Sequence, residues 1–434
     1  MAEVRAFRGI RFAAASQGRD LGDYLSPPFD AITAEVEREL LGRSEHNIVR
    51  LELAPREGVD RYGFVAETQA RWEADGVLMR DEDPSVYVTE ETFEFGGKTQ
   101  TRRGFIAAVR LEEYDRRVIF PHEQTRGPWV EDRVKMMRAT GSALSPMLVV
   151  FQDDIRHSVG GIMRAVTGGP PLETATMAGG YSLRLWQLKD PGTLEVLRDL
   201  MRDSPIFIAD GHHRYEAALR YRSAIRARRE IESNEAVNYR MMHIVSIDEP
   251  GLITRGYHRV IHGATPEELG RLVGRFEEVC EVENVPTPDR VGMAWRPVDL
   301  LNVVGSRDDG EFVFGIHGLQ GGFKIARMSS VEAVGLTGED ALERSDYSRL
   351  HSEILDVVFE GERVDAAVDF EYEVENVVGR VDSGEAQLGI VMRSIPTHEF
   401  VDIVTRGDRL PPKATNFYPK PPAGAVIQSL KGSL

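Results

Sequence analysis

Two polar clusters in this chain carry residue types that can do chemistry. The first, Ile206-Phe207-Ile208-Ala209-Asp210-Gly211-His212-His213-Arg214, reads as a buried strand passing through one glycine into a helix that opens on polar residues. The first turn of a helix presents backbone N–H groups and a partial positive charge. With two imidazoles and a guanidinium at the same end, this start is an anion site, and phosphate is the natural ligand. The second cluster, Phe120-Pro121-His122-Glu123-Gln124-Thr125, is an apolar strand end broken by proline, followed by an acid beside a base. Such connectors between strand and helix often hold catalytic groups. Plainer readings stand beside both. Asp210 can be the helix N-cap, accepting from the amides two and three residues on, and Glu123 can be an ordinary capping carboxylate. Zinc at His212 and His213 is disfavoured, because adjacent residues rarely converge on one metal and no Cys or third His lies at ligand spacing. The chain has no GxxxxGK[ST], no GxGxxG after a strand and no kinase HRD/DFG set, so the phosphate grip is not a P-loop.

A third segment, Leu410 to Pro422, is proline-bounded and extended. Only seven of the 53 basic residues are lysines, and two of them, Lys413 and Lys420, fall here. In a chain that otherwise uses arginine, a lysine suggests a need for a compact point charge. The alternative is a C-terminal tail wrapped over its domain.

The elements that must position these residues are legible from periodicity. Strands are expected at Val4 to Phe12, Ile48 to Leu53 and Ser85 to Phe95, with Gly96-Gly97 as a hairpin turn, and helices at Thr33 to Leu41 and Tyr62 to Asp75. The helix Val130 to Ala139 should stop at Gly141. Thr265-Pro266-Glu267-Glu268 has capping-box order, and further elements are expected at Phe312 to Ile316, Gly322 to Arg327, Ser348 to Phe359 and Ala386 to Arg393. These give an α+β, multi-domain chain: an N-terminal α/β unit over 1–103, a unit over 104–248 holding both clusters with an insertion near 153–191, and a C-terminal α/β domain over 249–434 whose tail returns to the site.

With 434 residues, 41% of them hydrophobic, the chain can bury more than one core. A net charge of −17 argues against nucleic acid as a partner. No apolar run approaches a membrane span, and a lone cysteine, Cys280, fits a reducing, cytoplasmic setting. The oligomeric state is not legible.

Pro121-His122-Glu123-Gln124, Ile208-Ala209-Asp210-Gly211-His212-His213-Arg214 and Lys413-Ala414-Thr415, in that order, resemble the free serine kinases of the ParB/sulfiredoxin superfamily, which phosphorylate L-serine itself. At whole-chain level the sequence is similar to the DUF1015 family, through Ser26-Pro27-Pro28-Phe29-Asp30, His122 to Thr125, Asp210 to Arg214, and Pro412-Lys413 to Pro419-Lys420. The kinase resemblance implies a ParB/sulfiredoxin-like nucleotide-binding core, ATP or ADP as phosphoryl donor, and magnesium held near Asp210. It implies Glu123, Asp210 and His212 as catalytic residues. Gly211, His213 and Arg214 would bind the nucleotide's phosphates, and His122, Gln124, Lys413 and Thr415 the acceptor. Arg214→Ala is expected to weaken nucleotide binding with little loss of fold stability. Ala414 stands where those kinases carry a hydroxyl residue, and the Glu123 to Asp210 interval is longer than theirs. The alternative function is a non-catalytic nucleotide-binding regulator of ParB type.

Overall fold

The computed structural model describes residues 2–53, 60–285, 296–306, 311–319, 322–328, 345–411 and 413–434; Pro412 of the C-terminal motif lies outside them. The chain divides into two compact α+β units, Met1–Ile253 with Pro419–Leu434, and Thr254–Tyr418.

A nine-stranded mixed sheet organises the first unit. Eight strands follow the spatial order Ile119–Phe120, Ile206–Asp210, Met147–Phe151, Tyr239–Ser246, Lys98–Arg110, Val86–Phe95, Ser182–Leu188 and Glu173–Thr176, and Val4–Arg5 adds alongside Lys98–Arg110. The central strands are near-continuous apolar runs, and Met147 to Phe151 and Ile206 to Ile208 are all buried. Such runs belong to strands covered on both faces. The hairpin expected at Gly96-Gly97 forms with Phe95 opposite Lys98, and both glycines have positive φ, 60° and 73°. That is the backbone a two-residue primed turn demands. The expected boundary after residue 103 falls inside Lys98–Arg110, a strand that pairs with Val86–Phe95 on one side and Tyr239–Ser246 on the other. Residues 153–191 supply a helix, Ser158–Thr167, and the two strands at the far edge of the same sheet.

Two local expectations differ from the structure. Ile48 to Leu53 is not a strand: Val49–Glu52 is one helical turn. The cause is the buried side chain of Asn47, whose Nδ2 donates to the carbonyls of Asp23 at 2.9 Å and Leu25 at 2.8 Å while its Oδ1 accepts from Val49 N–H at 3.0 Å. This side-chain capping outweighs the β-propensity of Ile48 and Val49. Val4 to Phe12 is likewise two short strands, Val4–Arg5 and Ile10–Phe12, which pair with different partners.

In the second unit a six-stranded antiparallel sheet runs Cys280–Asn284, Lys324–Met328, Phe312–His317, Leu388–Val391, His258–Ile261, Val368–Glu371. The capping box at Thr265 and Glu268 is formed and opens the helix Pro266–Val279. Cys280 is buried, and burial pushes its thiol up to about 12, so it is not a ready nucleophile. Among the described residues no helix is long and apolar enough to cross a membrane.

Candidate functional site

The two polar clusters meet because their strands are neighbours. Ile119–Phe120 lies parallel to Ile206–Phe207, so both chains leave the sheet at the same end and each turns into a helix, Gly127–Thr140 and His212–Arg226. At the end of Ile206–Asp210 the register with Met147–Phe151 slips between Ile208 and Asp210, a bulge that re-aims the last side chain. Gly211 then takes φ 103°. A Cβ there would lie 2.9 Å from Arg214 Nε and 3.0 Å from Met147 Cγ, so the turn admits only glycine.

Gly211, not Asp210, is the N-cap, and no side chain caps the helix. The Asp210 carboxylate is used elsewhere. Its Oδ2 pairs with Arg214 Nη2 and its Oδ1 with Lys420 Nζ at 2.8 Å. Lys420 Nζ also lies 2.7 Å from Asp30 Oδ2. One ammonium from the C-terminal tail therefore bridges a carboxylate near the N-terminus and one from the middle of the chain. Burial alone would raise the Asp210 carboxyl, but Lys420 and then Arg214 more than offset it and hold it well below the usual carboxylate range.

Lys420 is delivered by a stitched tail. Ala423 pairs with Ser26, Ile427 with Ile10, and Gln428-Ser429 with Ser142-Ala143. Neither Lys420 nor Asp30 was among the expected site residues. The only sequence signals for them are the rarity of lysine and the segment Ser26 to Asp30.

His122, Glu123 and His212 form the one group of His, Cys, Asp and Glu among the described residues whose ligand atoms, one from each, lie within 4.8 Å of one another. Hydrogen bonds define the ring protons. His122 Nδ1 donates to the Ile208 carbonyl at 2.8 Å, and the His122 backbone N–H donates to His212 Nε2 at 3.2 Å. The lone pair of neutral His212 is therefore on Nε2 and its proton on Nδ1, which lies 3.9 Å from Glu123 Oε2. His212 cannot offer Nδ1 to a metal in this state. The arrangement is an imidazole N–H facing a carboxylate, suited to handling a proton. His213 Nε2 accepts from Arg126 N–H at 3.0 Å, and its ring packs 5.5 Å from that of Trp129, which is 45% exposed.

The magnesium expected at Asp210 does not fit. A hard divalent ion needs carboxylate oxygens open to it, and both oxygens of Asp210 are already held by cations. Lys420 occupies the position between two carboxylates that such an ion would take. Lys413 and Thr415, expected at the acceptor, belong to the second unit. There the Lys413 carbonyl accepts from Arg259 Nη1 at 3.0 Å, and Thr415 is buried. Gln124 follows Glu123 on the connector before the helix Gly127–Thr140.

Arg214 is 3% exposed, and besides Asp210 it donates to the Pro146 carbonyl at 2.6 Å. This burial changes the expected effect of its removal. Arg214→Ala should cost roughly 2–5 kcal/mol of stability, because it leaves a buried carboxylate and carbonyl short of a donor. Urea denaturation checks this, and a midpoint equal to wild type would show that the guanidinium is dispensable to the fold.

The chain belongs to the family described as "Protein of unknown function (DUF1015)", whose model matches residues 4–318. No curated protein matches it. Solved structures similar to it include a free serine kinase mutant in complex with AMP, at 15% identity and TM-score 0.38, covering 72% of this chain and 89% of that one. A conserved hypothetical protein from Pyrococcus furiosus matches at 16% identity and TM-score 0.34, covering 72% and 92%. SbnI with C-terminal truncation from Staphylococcus aureus matches at 13% identity and TM-score 0.34, covering 76% and 87%. Likenesses this distant leave function to the site's own geometry.

Proposed function

We propose that this protein is a nucleotide-dependent kinase that phosphorylates the hydroxyl of a small metabolite, with free L-serine the first candidate acceptor and ATP or ADP the donor. The observation that supports it most is the convergence of Glu123 with the Asp210 to Arg214 turn. A carboxylate stands 3.9 Å from an imidazole at a helix start, on the same unit as an ammonium held between Asp30 and Asp210. We read the strand, glycine turn and helix as a ParB/sulfiredoxin-like nucleotide-binding core.

In this reading the donor's phosphates rest against the backbone amides opening the helix at His212, and Lys420 and His213 lie beside them. Asp210 sets the position of Lys420 and Arg214. Trp129 offers a flat apolar surface beside His213 for a nucleobase. The acceptor oxygen attacks the terminal phosphorus in line, the bond from that phosphorus to the bridging oxygen breaks, and the acceptor's proton passes to Glu123. His212 Nδ1–H orients the Glu123 carboxylate. His122 and Gln124 are assigned to the acceptor on the motif resemblance alone.

The test is incubation of the purified protein with each donor, with and without magnesium, and a panel of amino acids, followed by mass spectrometry of the small molecules. A phosphorylated acceptor is expected. A bound nucleotide with no phosphorylated product would instead support the regulator reading.

A further inference from the structure

Asp30 and Asp210 each aim one carboxylate oxygen at a single point, and the Lys420 ammonium fills it, 2.7 Å from Asp30 Oδ2 and 2.8 Å from Asp210 Oδ1. The second oxygen of Asp210 is taken by Arg214. Two carboxylates thus face two cations, and the cluster is electrically balanced. A divalent ion entering it would meet an ammonium and a guanidinium, with no carboxylate charge left to offset its dehydration. The ammonium is also fixed in place. Lys420 stands in Pro419-Lys420-Pro421-Pro422, where proline limits the backbone on both sides. Three residues on, Ala423 N–H donates to the Ser26 carbonyl at 2.9 Å, which ties the tail to the segment carrying Asp30. The side chains of Lys420, Asp30 and Asp210 are 20%, 21% and 14% exposed, so the cluster borders solvent.

We propose that Asp30 and Asp210 form a divalent-cation site that this chain fills with its own ammonium, and that the nucleotide binds without a protein-held metal. The ion site follows from the geometry alone, whereas the state of the nucleotide rests on the kinase reading. Phosphoryl-transfer sites ordinarily hold a divalent ion on an Asp beside the phosphates. Here lysine takes that electrostatic role, as a compact charge that faces phosphate oxygens without the near-octahedral ligand shell magnesium demands.

Electron paramagnetic resonance of manganese(II), a spectroscopic stand-in for magnesium, titrated into the nucleotide-free protein tests the site. Lys420→Ala should hold one more manganese ion per chain than wild type, at roughly 0.1–1 mM as for weak carboxylate sites. Adding Asp30→Asn to that variant should remove the extra ion. Any ion held by His122, Glu123 and His212 or by surface carboxylates is common to all three proteins and drops out of the comparison. A Lys420→Ala protein that binds no more manganese than wild type overturns the site, as does an extra ion that survives Asp30→Asn. Should Lys420→Ala fail to fold, Asp30→Asn alone decides. With Lys420 in place it should bind as much manganese as wild type, and loss of an ion overturns the proposal. Calorimetric titration of wild type with ADP tests the nucleotide's state: affinity in EDTA should equal or exceed that in magnesium, and a tenfold or greater loss in EDTA overturns it. The manganese comparison needs no nucleotide, so its outcome is independent of whether phosphate is transferred.

Discussion

Glu123→Gln is expected to lower phosphoryl-transfer turnover by roughly a hundredfold or more while nucleotide affinity stays near wild type. The amide keeps the shape and one acceptor oxygen but cannot take the acceptor's proton. Because Glu123 is on a partly exposed connector and makes its closest charged approach to His212 at 3.9 Å, the substitution should leave the melting temperature almost unchanged. That separates a chemical role from a structural one. Steady-state rates with calorimetric titration of ADP give both numbers. A variant that turns over at the wild-type rate would remove Glu123 from the chemistry.

Lys420→Ala should act on both binding and fold. It strips the ammonium from between Asp30 and Asp210, leaving Asp210 with Arg214 alone and Asp30 without this ion pair. Nucleotide affinity should fall at least tenfold, equivalent to about 1.4 kcal/mol, and Lys420→Arg should restore little, because a planar fork does not replace a compact charge bridging two carboxylates. The acid limb of stability should move as well. A carboxyl held below its unfolded value of about 3.9 contributes stability that is fully present above that pH and lost as the pH falls through the folded value. With Lys420 gone, Asp210 is depressed less, so the variant should unfold at a higher pH on acidification. Melting curves between about pH 2 and 5 measure this. An acid limb and an affinity both equal to wild type would show that the bridge is inconsequential.

What the sequence made legible is what is local. Gly211 reads as a turn glycine because a single residue separates an apolar run from a polar helix start. Gly96-Gly97 and the Thr265 to Glu268 capping box carry their geometry in adjacent residues. The Ile48 to Leu53 segment misleads because its conformation is decided by Asn47 reaching back more than twenty residues to Asp23 and Leu25. The pairing of Lys98–Arg110 with Tyr239–Ser246 is equally non-local, so a division drawn along the chain cannot anticipate that one sheet crosses it. The Asp30, Asp210, Lys420 bridge is the extreme case, spanning almost the whole sequence. Its members have no spacing rule, and lysine scarcity was the one chemical hint. The burial of Arg214 was also hidden: its type suggested a phosphate ligand, whereas its surroundings tie it to Asp210 and the Pro146 carbonyl.

The most direct measurement of the central claim is a phosphorus-31 NMR time course of the wild-type protein with ATP or ADP and excess L-serine, with Glu123→Gln run in parallel. The account predicts that a phosphomonoester resonance grows as the donor's terminal phosphate signal declines, one for one, and that the variant's spectrum barely changes over the same time. A donor that binds yet persists unchanged with every hydroxyl acceptor tried, or one that releases only inorganic phosphate, would contradict it.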